Sequence, residues 1–241
     1  MRHNVLGVEI DAITEAEALD RITQFVHEGG PHQVVTANPE ILDNATRNLP
    51  LHYLIRRAAL VTADGQGVLL AGRILGTPFP ARVTGIDLAE ALCRESAERN
   101  ISLYFLGAEP GVVDEAAAKM RQAYPGVKIV GTHHGYFRNE GPAEVLADIM
   151  RTRPDVLLVG MGSPYQEEFI NEFLAKVGVP VGIGVGGSFD VLSGRVERAP
   201  EIFIRLRLEW FYRIASDRKR WKRALALPRF VLKVLRQKFI G

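Results

Sequence analysis

From residue 101 to residue 185 short apolar runs alternate with amphipathic stretches, and no other feature of the chain restricts its fold as much. The spacing predicts strands at 101–106, 127–130, 155–159 and 179–185, with helices at 111–124, 142–153 and 165–177 between them. Strands separated by helices pair in parallel through right-handed crossovers. The expected class is therefore α/β, a Rossmann-like and mostly parallel sheet flanked by helices. Such sheets collect ligands where strand C-termini open into loops. Three loops of the series carry glycine there: Gly107-Ala-Glu-Pro-Gly111, Gly131-Thr-His-His-Gly-Tyr136 and Gly160-Met-Gly-Ser-Pro-Tyr-Gln-Glu-Glu168.

The first hundred residues repeat the theme with polar groups at the strand ends. Residues 4–10 read as a short edge strand, and Thr14 opens a helix with Glu17 in the capping-box position and Leu19, Ile22 and Phe25 along one face. Gln33-Val-Val-Thr-Ala-Asn-Pro-Glu40 carries a buried strand into Thr36, Asn38 and Glu40, with Pro39 suited to a first helical turn. Asn38 as a helix cap and Thr36 as a satisfied strand hydroxyl remain open beside a functional role. Residues 59–63 form the next strand and deliver Asp64 onto the turn Gly65-Gln-Gly67, with helical spacing from Val68 onward. Asp64 is the leading candidate for a working carboxylate, although an Asp before a glycine turn also serves as a helix cap. Arg82 lies in a loop just before the helix that starts at Thr84 or Gly85.

Gly182-Ile-Gly-Val-Gly-Gly187 follows a strand and matches the dinucleotide glycine pattern. Ser188-Phe-Asp-Val-Leu-Ser-Gly-Arg195 does not continue it as a clear helix, and no acidic residue falls at the ribose position about 20 residues on. An oxidoreductase reading therefore loses to a plainer one: a glycine-rich strand end at Gly186 facing a phosphate or nucleotide, with Asp190 placed for a ribose or base edge. His133 and His134 are adjacent, which usually sends them to opposite sides, and neither has a partner at helical metal-ligand spacing. No Asp-x-Asp is present to hold a divalent cation. A metal site and a cofactor are both unexpected; if a diphosphate leaves here, arginines must neutralise it.

Arginine is dense where that is needed, from Arg195 to Arg223, with Arg198 in a tight Arg-Ala-Pro and Arg213 in Leu208-Glu-Trp-Phe-Tyr-Arg213. Residues 201–241 hold twelve Lys or Arg against three Asp or Glu, a +9 segment on a chain whose total is +2, leaving −7 for residues 1–200. The division expected is a catalytic α/β body at 1–200 and a basic amphipathic helical appendage at 201–241. Its anionic partner is a membrane surface, a nucleic acid or a phosphorylated ligand. Trp221, Leu225, Leu227, Phe230, Val231, Val234, Leu235 and Phe239 recur at near-helical spacing between basic residues, the pattern of a helix lying in the headgroup region. The same face could instead pack on the body or on a second subunit, and Pro228 is expected to break or kink the helix. No run reaches the roughly 18 apolar residues of a spanning helix. Glu9 and Asp11 precede any long apolar run, so no leader or N-terminal anchor is expected. The lone Cys93 excludes an internal disulfide.

Thr36-Ala-Asn-Pro-Glu40, Ala63-Asp-Gly-Gln-Gly67, Arg82-Val-Thr-Gly-Ile-Asp87, His134-Gly-Tyr-Phe137, Gly160-Met-Gly-Ser-Pro-Tyr-Gln-Glu167, Gly184-Val-Gly-Gly-Ser-Phe-Asp190, Arg198-Ala-Pro200 and Glu209-Trp-Phe-Tyr-Arg213 stand in order along nearly the whole chain. In these motifs the sequence resembles the WecG/TagA/CpsF family of bacterial glycosyltransferases. The resemblance implies inverting, metal-independent transfer of a sugar, N-acetylmannosamine or a related hexose, from a UDP-sugar donor to an undecaprenyl-diphosphate-linked saccharide. The products serve cell-surface polysaccharides such as wall teichoic acid or exopolysaccharide. Asp64 then takes the family's base position, and Thr36, Asn38, Arg82 and Gln166 match residues around the reacting sugars. Tyr136 and Asp190 match the nucleotide side, and Arg213, Arg220 and Arg223 match the arginines that complete the diphosphate site. The resemblance places the protein in the cytoplasm, peripheral on the inner face of the cell membrane, with no nucleic-acid partner and with a homo-oligomer left open. The competing reading from another class is a non-catalytic nucleotide- or nucleic-acid-binding α/β protein. It accounts for the basic end but not for Asp64, Thr36 and Gln166 at strand ends.

Overall fold

The computed structural model describes residues 1–137, 141–197 and 226–240. In chain order these contain β1 (Arg2–Val5), β2 (Val8–Asp11), α1 (Glu15–Glu28), β3 (His32–Ala37), α2 (Pro39–Ala45), α3 (Leu49–Arg57), β4 (Leu60–Ala63), α4 (Gln66–Leu75) and α5 (Gly85–Arg99). They continue with β5 (Leu103–Gly107), α6 (Val112–Ala123), β6 (Ile129–His133), α7 (Ala143–Thr152), β7 (Val156–Gly160), α8 (Tyr165–Val177), β8 (Val181–Gly184), α9 (Ser188–Leu192) and α10 (Ala226–Ile240). Six strands pair in parallel in the order β4-β3-β8-β7-β5-β6. This is the α/β sheet that the alternating pattern predicts. The helix at 165–177 covers the expected residues, whereas the strand ends are offset by one to three.

Successive strand residues face opposite sides, so each inner strand feeds two cores. Val34, Phe105, Leu158 and Ile183 pack with α1, α5, α6 and α9 on one side. On the other, Val35 and Val61 pack with α2, α3, α4 and α10, and Tyr104 and Leu157 pack with α7 and α8. Local caps act as the sequence indicates. Thr14 accepts from the Glu17 N–H at 3.3 Å while the Glu17 carboxylate accepts from the Thr14 N–H at 2.7 Å, a complete capping box.

Two expectations are corrected. Residues 4–10 are not one edge strand: Leu6 and Gly7, at φ 53° and 84°, reverse the chain, and β1 and β2 form a separate antiparallel pair. A two-residue turn with positive φ at both centres matches strand twist. Leu6, Val8 and Ile10 alternate as one face of a single strand would, but in the hairpin the reversal at Leu6 and Gly7 brings Val5 into the core with Val8 and Ile10. The hairpin covers the outer edge of β4: the Arg2 guanidinium donates to the Ala59 carbonyl at 3.0 Å, and the Val61 N–H donates to Asp11 at 2.9 Å. Second, the segment after Gly187 does become helical, in the short α9, because Phe189 and Leu192 turn into the core.

Most of the basic appendage, 198–225, lies outside the described residues, but α10 does not. Phe230 and Val234 are fully buried in the core over β3 and β4, and Leu232 and Phe239 stay exposed. From Pro228 onward α10 runs without a break to Ile240, and residues 198–225, where a preceding helix would lie, are outside the described residues. Lys233 Nζ donates to Asp43 Oδ1 and to Thr46 Oγ1, both at 2.6 Å, while Arg47 donates to Asp43 Oδ2 at 2.6 Å, so a carboxylate only 2% exposed holds α10 on α2. Gln237 Oε1 accepts the Leu6 N–H at 2.8 Å, tying the same helix to the hairpin. Among the described residues no helix is long and apolar enough to cross a membrane. Phe230→Ala is expected to lower unfolding free energy by about 3–5 kcal/mol in urea titration, the cost of emptying a core phenylalanine site; a change under about 1 kcal/mol would mean that α10 is not part of the body's core.

Candidate active site

Chain leaving β3 enters α2 on one face of the sheet, and chain leaving β8 enters α9 on the other. Neighbouring strands whose connections diverge leave a crevice between their C-terminal ends, the point at which open α/β sheets bind ligands. Its floor is tied across. Thr36 Oγ1 donates to the Gly184 carbonyl at 2.8 Å, so Thr36 is a satisfied strand hydroxyl as well as a lining residue. Gly85, the first residue of α5, sits so close that a Cβ there would lie 2.9 Å from Val185 Cα and 3.2 Å from Thr36 Oγ1. Only glycine lets this helix begin against the crevice.

The β3/β4 ladder continues one step past its strands. The Asp64 N–H donates to the Ala37 carbonyl at 2.9 Å, which sets Asp64 and Asn38 side by side at adjoining strand ends. Asn38 also caps α2, its Oδ1 accepting the Ile41 N–H at 3.0 Å. The N-cap position of α4 falls on Gly65 at φ 92°, one residue past Asp64. Val83 extends the edge of β4: its N–H donates to the Ala63 carbonyl at 2.9 Å, and its carbonyl accepts from Thr62 Oγ1 at 3.0 Å. Arg82 therefore stands beside the end of β4, half-buried and 3.6 Å from Asp87, the carboxylate that Thr84 engages at the start of α5.

Gln166 enters from the opposite wall. In the first turn of α8 and buried, it accepts the Gly186 N–H at 3.0 Å. A Cβ on Gly184 would fall 2.6 Å from its Nε2, so β8 can end beneath it only as glycine. Further along the sheet the glycines of the loops close on one another. A Cβ on Gly107 (φ 139°) would lie 2.3 Å from the Gly160 carbonyl, one on Gly160 would lie 2.7 Å from the Gly186 carbonyl, and one on Gly135 would lie 3.2 Å from Gly107 Cα. Tyr136, 65% exposed, follows directly on this seam, and Asp190 lies in α9 just past Gly187. Thr36, Asn38, Asp64, Arg82, Gln166 and Gly186 are thus brought to one crevice, with Tyr136 and Asp190 on the loops beside it. Arg198, Arg213, Arg220 and Arg223 lie outside the described residues. Arg195 is engaged elsewhere, in a bidentate pair with Glu115 at 2.8 and 2.7 Å.

His133 and His134 do not diverge: their rings are 4.6 Å apart, and both line a recess of about 280 Å³ with Phe137 and Glu144, at the edge strand β6. Among the described residues no three His, Cys, Asp or Glu side chains are grouped to hold a metal ion. Sequence reasoning passed over Glu167. It is fully buried although it is charged by type, and it sits at the core-facing spacing of Ile170, Leu174 and Val177. That interruption of an apolar stripe was its available signal.

A model of the glycosyl transferase WecG/TagA/CpsF family matches residues 3–241. The chain belongs to this family. Relatives in it include an N-acetylglucosaminyldiphosphoundecaprenol N-acetyl-beta-D-mannosaminyltransferase of Bacillus spizizenii, 36% identical over 89% of this chain and 82% of that one. The Bacillus subtilis and Staphylococcus aureus (strain MW2) proteins of the same name are each 35% identical over 98% of this chain, covering 90% and 92% of their own lengths. This WecG/TagA/CpsF glycosyltransferase thus has Thr36, Asn38 and Asp64 at neighbouring strand ends, with Gln166 against the end of β8. Thr36→Val, nearly isosteric, removes the donor to the Gly184 carbonyl and should lower unfolding free energy by about 1–3 kcal/mol. A denaturation midpoint equal to wild type would show that this bond does not hold the crevice floor.

Proposed function

We propose that this glycosyltransferase moves N-acetylmannosamine from a UDP-sugar onto an undecaprenyl-diphosphate-linked N-acetylglucosamine, with inversion and without a metal ion. The names of its relatives supply the sugar and the lipid acceptor. The observation that carries the reading is the alignment of Asp64 with Asn38 at adjoining strand ends, fixed by the Asp64 N–H to Ala37 carbonyl bond and facing the crevice that Thr36 floors. Asp64 takes the proton of the acceptor hydroxyl as that oxygen attacks the anomeric carbon. The bond from carbon to the diphosphate oxygen breaks on the opposite face, and both electrons leave with UDP.

Charge then accumulates on the leaving diphosphate. Arg82 beside β4 and the arginines at 213, 220 and 223 neutralise it, their planar donors suiting bidentate phosphate contact. Gly186 and Arg198 complete the phosphate side. Tyr136 offers an exposed ring for stacking on the uracil and Asp190 an acceptor for its edge or the ribose. The lipid acceptor requires the protein to work at a membrane surface. Leu232 and Phe239, exposed on α10 with Arg229, Arg236 and Lys238, suit an anionic one, at roughly 1 kcal/mol per basic residue.

Asp64→Asn should fold normally and lose about 10²- to 10⁴-fold in UDP release with a lipid-diphosphate acceptor, the usual worth of a positioned base. Near wild-type turnover would remove Asp64 from the chemistry. Turnover should also persist after exhaustive EDTA treatment, and an absolute requirement for Mg²⁺ or Mn²⁺ would replace the arginine account. In sedimentation with phosphatidylglycerol vesicles at low salt the full-length protein should pellet and be released by high salt. Protein that stays in the supernatant at low salt contradicts the peripheral membrane reading.

A further inference from the structure

In α8, residues 167, 170, 174 and 177 form the stripe that faces the sheet, and three of them are Ile, Leu and Val. The fourth is Glu167, at 0% exposure, while Glu168 beside it is exposed. A carboxyl in a core position is poor engineering for stability, since an apolar side chain of similar volume there is commonly neutral or better. Its contacts point elsewhere. Oε1 accepts from Gln166 Nε2 at 2.8 Å, and the backbone carbonyl of Glu167 accepts from Gln33 Nε2 of β3 at 3.2 Å. Among the described residues, Oε2 and Ser163 Oγ, four residues earlier, are the buried side-chain oxygens without a fully formed hydrogen bond. Ser163 still lies close enough to the carboxyl to favour its charged form, so the second oxygen faces a hydroxyl. A buried carboxyl this weakly satisfied is costly for folding, and its full side-chain hydrogen bond goes to Gln166.

Gln166 gives that role content. Its Oε1 is held by the Gly186 N–H, but one hydrogen bond fixes only a point, about which the amide plane can swing. The Glu167 contact is the second point and sets the plane. Both groups crowd the end of β8, where a Cβ on Gly184 would lie 2.6 Å from Gln166 Nε2 and 3.3 Å from Glu167 Oε1. Burial pushes the Glu167 carboxyl above the ordinary carboxylate range, and hydrogen bonds from Gln166 and Ser163 oppose that rise. The oxygen facing Gln166 accepts in either protonation state, so the orientation survives a change of charge. We propose that Glu167 is a positioning residue for sugar transfer, holding the Gln166 carboxamide and the Gly184–Gly186 turn in the geometry that the reacting sugar meets. This rests on Gln166 being a substrate-site residue, as proposed above.

The test is a double-variant cycle on the full-length enzyme. It follows UDP release from UDP-N-acetylmannosamine with a short-chain N-acetylglucosaminyl-diphospholipid, alongside thermal unfolding. Glu167→Leu should melt at or above the wild-type temperature yet lose about 10- to 100-fold in kcat with little change in KM, the scale of a misplaced contact at a reacting centre. Glu167→Gln, which keeps an oxygen for Nε2, should recover most of that loss. The pair Gln166→Leu with Glu167→Leu should be no slower than Gln166→Leu alone. Wild-type kcat in Glu167→Leu, additive losses in the pair, or a Glu167→Gln protein as slow as Glu167→Leu would each overturn the proposal. A Glu167→Leu protein that fails to fold would mark the carboxyl as structural and overturn it too. Wild-type turnover in Gln166→Leu is a different failure, because it removes Gln166 from the site and takes the underlying reading with it.

Discussion

Close backbone approach at the C-terminal end of the sheet is the constraint on which the rest depends. At Gly107, Gly160 and Gly184 the next chain or side chain lies inside the space a Cβ needs, by distances of 2.3 to 2.7 Å, so no other residue fits without movement. Strand ends packed this tightly let the loops after β5, β6, β7 and β8 meet, and they leave a crevice beside β3 whose floor is a side-chain bond rather than a strand ladder. A ligand reaching that crevice meets backbone and the few polar groups the strands deliver. Glycine thus supplies the surface, and the neighbouring strand ends supply the chemistry.

What the sequence disclosed is what local chemistry controls. The sheet follows from apolar runs whose period reports burial, and the Thr14, Asn38 and Thr84 caps from side chains that bond their own backbone three residues on. Thr36, Asn38 and Asp64 were legible as polar groups at strand ends, whereas Gln166 stood out only through the motif that carries the family resemblance. The hairpin was not, since Leu6, Val8 and Ile10 alternate as in one strand, and Val5 joins the core only because the chain reverses at Leu6 and Gly7. Neither was the seat of α10. Lys233 reaches Asp43 across 190 residues, and nothing in either local sequence distinguishes a buried pair from two solvated charges.

Two buried carboxylates illustrate different uses of the same side chain. Asp43 is saturated by Lys233 and Arg47, and holds a helix from the far end of the chain against the helix that begins at Asn38. Through Leu227, whose Cδ1 would be 2.9 Å from a Cβ on Gly67, that same helix reaches the turn that follows Asp64. The C-terminal helix is therefore part of the support of the site. Among the described residues Glu167 has no ion pair, and its full side-chain hydrogen bond goes to the Gln166 amide. A fully paired buried charge joins elements, whereas an incompletely paired one is explained by what it orients.

Inverting transfer is a single displacement across the crevice, with the acceptor hydroxyl activated on one face of the sugar and UDP leaving from the other. The anomeric configuration of the product, read by NMR after reaction of an α-linked UDP-N-acetylmannosamine with a lipid-diphosphate acceptor, tests it most directly. One displacement assisted by a base predicts a β-linked sugar. An α-linked product would contradict it, since retention requires two displacements through a sugar bound to the enzyme and gives Asp64 a different task.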